Sequence, residues 1–99
     1  MNYKLYIGLD VQNGEPWERQ EAVNIIMSVC KSYGISALSI SDCRGVYTYD
    51  DGNAVQENTL VLLLVDFKGE VMGLTKDLKK ALKQECIMIE KIKSDFDFV

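Results

Sequence analysis

An α+β fold with the element order β-α-β-β-α-β is predicted by three observations on the 99-residue sequence. The chain opens on a cleanly alternating segment. Two amphipathic helical patterns then flank a long hairpin. The hairpin's second arm, Asn58-Thr59-Leu60-Val61-Leu62-Leu63-Leu64-Val65, is apolar on both faces. Right-handed crossovers place both helices on one face of an antiparallel sheet of order 4-1-3-2, the ferredoxin-like split βαβ arrangement. Strands 1 and 3 are central in that order, and they are the most apolar.

The elements follow from local patterns. Residues 3–11 put Tyr3, Leu5, Ile7, Leu9 and Val11 on one face and Lys4, Tyr6, Gly8 and Asp10 on the other. Asn13-Gly14 is a turn signal. Pro16 fits a first helical position, Glu15, Glu18 and Glu21 suit a helix N-terminus, and Val23, Ile26, Met27, Cys30 and Tyr33 recur at helical spacing, so a helix is expected over 16–33 with Gly34 as its stop. The second strand spans 35–49, with a bulge expected at Cys43-Arg44-Gly45. Asp50-Asp51-Gly52-Asn53 turns the hairpin into a third strand over 54–66. Val71, Leu74, Leu78, Ala81 and Leu82 mark a helix over 70–83, and a fourth strand covers 86–92. Residues 1–93 are expected to form a single domain and 94–99 a tail that alternates acid with apolar residue.

Composition excludes several classes. No run approaches the roughly 18 apolar residues of a membrane span. The start goes straight into a strand pattern without signal-peptide organisation, which leads to an expected cytoplasmic location. Histidine is absent, which removes the commonest general base and transition-metal ligand. Cys30, Cys43 and Cys86 show no CxxC spacing and are expected to be small packing residues. No cofactor, metal or catalytic residue is therefore expected. The net charge of −4 argues against nucleic acid, and Lys76, Lys79, Lys80 and Lys83 read as a solvated helix face.

With both helices on one side, the other sheet face is left open. Three exposed Leu or Val side chains, at about 1.5–3 kcal/mol each for full burial, make a patch that usually marks an interface. A homo-oligomer, trimer or dimer, is expected, with Val61, Leu63, Val65 and Met88 at the interface.

The order of elements and the long hairpin resemble the PII-like superfamily and the related divalent-cation-tolerance trimers across most of residues 3–92. The chain also resembles small proteins of phages and mobile elements in Firmicutes. The phrases that carry this second resemblance are Leu5-Tyr6-Ile7-Gly8-Leu9, Gly45-Val46-Tyr47, Glu57-Asn58-Thr59-Leu60 and Leu78-Lys79-Lys80-Ala81-Leu82-Lys83-Gln84-Glu85. The PII resemblance implies a nucleotide or other small ligand held between subunits, in a cleft lined by the ends of strands 1 and 2 and the start of strand 3. The nucleotide-contacting glycines and basic residues of true PII proteins have no counterpart here, and the acidic hairpin tip is a tight turn.

Candidate ligand-binding residues are Tyr6, Asp10, Arg44, Tyr47 and Glu57. Arg44 could grip a phosphate or carboxylate, or pair with Asp42, Glu57 or Glu85. Tyr6 and Tyr47 could stack a ring, or pack across strands. Glu57 needs a partner, Gln84 could satisfy backbone groups, and Asp10 sits where strand 1 ends. These residues lead to an expected non-enzymatic, oligomeric binding protein for a small anionic ligand such as a nucleotide. The alternative is an acidic inhibitor or adaptor of anti-defence type that binds a host protein through its surface.

Overall fold

The computed structural model describes residues 1–99. The elements are β1 (Asn2–Gly8), α1 (Arg19–Ser32), β2 (Ser39–Thr48), β3 (Ala54–Leu64), α2 (Val71–Ala81) and β4 (Met88–Ile92). They form one four-stranded antiparallel sheet of order β2-β3-β1-β4, the expected 4-1-3-2 read from the other edge. No helix is long and apolar enough to cross a membrane.

Register decides which half of the doubly apolar strand meets the helices. Tyr3, Leu5 and Ile7 of β1 lie opposite Leu64, Leu62 and Leu60 of β3. These side chains share a core with Ala22, Ile26 and Cys30 of α1 and with Val71, Leu74 and Leu78 of α2. Burial pushes the Cys30 thiol up to about 11. On the open face Tyr6 stands between Val61 and Met88, and Lys4 between Leu63 and Glu90. This face is less bare than the count of its apolar residues suggests. Val61, flanked by Tyr6 and Ser41, keeps only 8% of its surface, and Leu63 and Val65 are half-buried. Met88, on the edge strand, keeps 60%.

Several local expectations are corrected. Helix α1 starts three residues after Pro16. Trp17 is held before it by its N–H to the Leu9 carbonyl (2.7 Å) and its indole N–H to the Leu82 carbonyl (2.7 Å). Glu18 becomes the N-cap, accepting the Glu21 N–H at 3.0 Å. The bulge at Cys43-Arg44-Gly45 does not form, because pairing between β2 and β3 runs unbroken from Ser39↔Leu63 to Thr48↔Ala54. Of the three cysteines only Cys30 is a packing residue. Cys43 falls on the open face of an edge strand and Cys86 in the connection before β4, and both are exposed.

Two capped ends fix the helices. At the end of α1, Gly34 takes φ +75°, and Ile35 N–H returns to the Cys30 carbonyl. Glu70 caps α2 by accepting from Met72 N–H and Gly73 N–H. The helices are tied to each other by Tyr33, whose hydroxyl donates to Asp77 at 2.5 Å. That bond, then desolvation and the Asp77 and Glu70 charges, pushes the tyrosine up to about 12. After Ile92 the chain has no regular structure. The Ser94 carbonyl accepts from the Asn2 side chain at 2.8 Å, and Phe96 and Phe98 beyond it are exposed.

Candidate functional site

The open face gathers polar chemistry where β1 ends. Alternation places Tyr6 and Gly8 of β1, Glu57 and Thr59 of β3, and Cys43, Gly45 and Tyr47 of β2 on this one face, with Gly8 opposite Thr59 and Gly45 opposite Glu57. The Glu57 carboxylate reaches across to β1 and accepts the Asp10 N–H at 3.3 Å. It lies in the space above Gly8, where a Cβ would overlap Glu57 Oε1. The Asp10 loop is fixed from its other side by Gln84, whose amide nitrogen donates to the Asp10 carbonyl at 3.0 Å and to the Leu82 carbonyl at 3.1 Å.

Tyr47 stands beside this carboxylate. A Cβ on Gly45 would meet the Tyr47 ring edge and Thr59 Oγ1 at 3.5 Å, ordinary contact distance, so the ring lies beside this position without needing a glycine there. The ring is 55% exposed and free for a flat partner. Partial burial, then Glu57, Cys86 and Cys43, raises the Tyr47 hydroxyl above its ordinary value. One pair further along β1, the Tyr6 hydroxyl donates to Glu90 Oε1 at 2.6 Å. That bond is the main reason its pKa is raised, with desolvation, the Glu90 charge and Cys43 behind it.

The structure thus puts Asp10, Tyr47 and Glu57 together and sets Tyr6 one pair away on the same face. Arg44 is separated from them. It lies opposite Asn58 on the other face of the hairpin, exposed, and it makes none of the ion pairs expected with Asp42, Glu57 or Glu85. Asp42 is taken by Arg19 at 2.7 Å, a hydrogen bond that also holds the guanidinium pKa up. Gly8 was not among the sequence candidates. Its signal is a glycine on the open face of an otherwise well-filled central strand.

Chemically, the cluster offers one carboxylate seated on bare backbone at Gly8 and an open aromatic ring beside it. No group of three or more acidic or thiol side chains is arranged to hold a metal ion.

No protein-family model matches the chain, and no curated protein matches it in sequence. Solved structures do. A phage SAM lyase in its apo state is 27% identical, covering 89% of this chain and 75% of its own, with a TM-score of 0.71. The phage SAM lyase in complex with S-methyl-5′-thioadenosine is 26% identical over 89% and 76%, with a TM-score of 0.70. GlnK of B. subtilis, in complex with ATP, shares 17% identity over 93% and 83% (TM-score 0.63), and CutA of Synechococcus elongatus shares 11% over 92% and 76% (TM-score 0.62). The last two establish the fold alone.

The lyase likeness corrects the functional expectation. A non-enzymatic binding protein, or an inhibitor acting through its surface, was expected because histidine and a base-activated nucleophile are missing. The structure with 27% identity over most of both chains is that of an enzyme. In architecture the chain is a ferredoxin-like protein that resembles the PII-like and CutA proteins and, at higher sequence identity, a phage enzyme of the same layout.

Proposed function

We propose that the chain is a lyase that cleaves S-adenosylmethionine to S-methyl-5′-thioadenosine. The observation that carries this reading is the Glu57 carboxylate seated over Gly8 beside the Tyr47 ring, on a sheet that matches the phage lyase. S-methyl-5′-thioadenosine keeps both the methyl and the ribosyl carbon on sulfur. The bond that breaks is therefore the one from sulfur to Cγ of the amino-acid arm, and its electron pair returns to sulfur. Cγ is taken by the substrate's own carboxylate oxygen, which closes a five-membered lactone. Atoms and charge balance without water, cofactor or general base, so a chain with no histidine can run the step.

Catalysis of such a step is mostly positioning. Bringing the carboxylate oxygen into line with the sulfur–carbon bond supplies the effective concentration that a folded-back substrate in water lacks. In this reading the exposed Tyr47 ring carries the adenine. Glu57 accepts from the substrate ammonium and so aims its carboxylate at Cγ. The Asp10 loop, pinned by Gln84, closes the end of the pocket. A carboxylate attacking a sulfonium annihilates charge in the transition state, so a dry, weakly polar surround favours it. Packing of the open face against a second copy through Val61, Leu63, Val65 and Met88 provides that surround.

Incubation with S-adenosylmethionine in H2¹⁸O, followed by mass spectrometry, tests the proposal. S-methyl-5′-thioadenosine should accumulate, and homoserine formed from the lactone should carry ¹⁸O in its carboxylate. Label in the side-chain hydroxyl would mean attack by water at Cγ and replace the lactone route. No thioadenosine above the enzyme-free control would remove the lyase reading.

A further inference from the structure

We infer that residues 94–99 of one copy add as a short strand along the outer edge of β2 in a second copy, starting at its Ser39 end and seating Phe96 and Phe98 in the groove between α1 and the 34–38 run that leads into β2. The inference stands apart from the lyase reading, because its test reads mass and exchange rather than turnover.

The groove has a volume of about 940 Å³ and is lined by Met27 and Lys31 of α1 and by Gly34, Ile35, Ala37 and Leu38 of the run into β2. Met27 is 54% exposed there. The groove ends at Leu38, one residue before β2, a strand that pairs only with β3, so the edge beyond the groove offers unpaired backbone groups to an extended segment. The tail has the complementary pattern. Phe96 and Phe98 project to one side of an extended chain and Asp95 and Asp97 to the other. Phe96 is 43% and Phe98 84% exposed.

The two sides of the β2 edge match that alternation. The helix side, followed from Ile40 back to Leu38, opens on the apolar groove. The open side carries the exposed Ser39 and Ser41, whose hydroxyls can donate to carboxylates. Lys31 adds attraction for a segment with two acids within a Debye length of about 10 Å.

Length decides which copy supplies the tail. The Ser94 carbonyl is held by Asn2, at the β1–β4 side of the sheet, and β2 is the opposite edge. Crossing from β4 to β2 spans three strand spacings, about 14 Å. Five residues reach about 17 Å at full extension. They cannot make that crossing and also lie along β2.

Sedimentation and hydrogen exchange on the full chain test this. Phe96→Ser/Phe98→Ser should weaken self-association about tenfold or more and restore fast exchange of the β2 edge amides, with an unchanged circular dichroism spectrum, since neither ring belongs to the core of its own copy. Unchanged association in this variant overturns the inference. So does edge protection that persists in a species of single-copy mass, which would mean the tail folds onto its own chain. Association lost in Met88→Glu but unweakened in the tail variant would leave the open face as the sole contact between copies, and overturns it as well.

Discussion

Glu57 fills the volume that any side chain at Gly8 would need: the carboxylate of a β3 residue lies on the bare backbone of β1. The two positions are not directly paired in the sheet, since Gly8 faces Thr59. The contact exists because Glu57 leans along its strand toward the Asp10 N–H. Gly8→Ala is expected to expel the carboxylate while leaving the sheet intact. On the proposed function, kcat/KM for S-adenosylmethionine falls about a hundredfold with an unchanged circular dichroism spectrum, which is the cost of misplacing a positioning group by about 1 Å.

Glu57→Gln keeps the shape and removes the charge that holds the substrate ammonium. Cleavage of S-adenosylmethionine is expected to fall by about two orders of magnitude. The decarboxylated substrate should bind the unaltered protein as an inhibitor but yield no thioadenosine, because it lacks the internal nucleophile. Turnover of that analogue would refute the carboxylate route.

Leu62 is fully buried at the middle of the core, between Leu5 and Ile40 in the sheet. Leu62→Ala leaves a cavity under both helices and is expected to cost about 2–5 kcal/mol in urea denaturation. A loss below 1 kcal/mol would mean that the core closes around the gap.

Glu18 is held below its ordinary pKa of 4.5 by the Gln20 and Glu21 backbone N–H groups it faces at the start of α1. A lowered folded pKa means that the contribution is present above the unfolded value and is lost as pH falls through the folded one. Glu18→Gln should therefore lower Tm by a few degrees at neutral pH. The difference from the parent protein should vanish below both values. A gap that is constant with pH would mean the charge plays no part.

Tyr33 gives the opposite limb. Its pKa is raised from 10.0 to about 12 by its bond to Asp77, so its contribution is complete below 10 and lost as pH rises through 12. Tyr33→Phe should destabilise the protein through the neutral range and close the gap above pH 12. Thermal melts across the alkaline range check this.

The element order and the sheet topology were legible in the sequence because each rests on a local pattern. Tyr3, Leu5 and Ile7 alternate over the whole of β1, and the Asp50-Asp51-Gly52-Asn53 turn delivers the hairpin with Gly52 at φ +87°. What failed needed contacts across the fold. Trp17 delays α1 because Leu82, 65 residues on, accepts its indole N–H. Cys43 and Gly45 looked like a bulge because serine, cysteine and glycine alternate poorly. The strand is regular, because all ten pairs with β3 form through it. Of the site, Tyr47, Glu57 and Asp10 were named, since exposed rings and strand carboxylates stand out by type. Arg44 was grouped with them by proximity in sequence, but an odd offset on a strand sends it to the other face. Gly8 was missed because its role is to be empty. On the proposed function, the enzyme class was invisible, since a substrate that brings its own nucleophile leaves no motif for one in the protein.

The Leu82 carbonyl takes bonds from both the Trp17 indole and the Gln84 amide, and the same amide holds the Asp10 loop. The lone tryptophan is therefore wired to the Asp10 loop through a single shared oxygen. On the proposed function its emission becomes a built-in optical gauge: an occupant that shifts the Asp10 loop should shift the indole's hydrogen bond with it and change the colour, with no label attached.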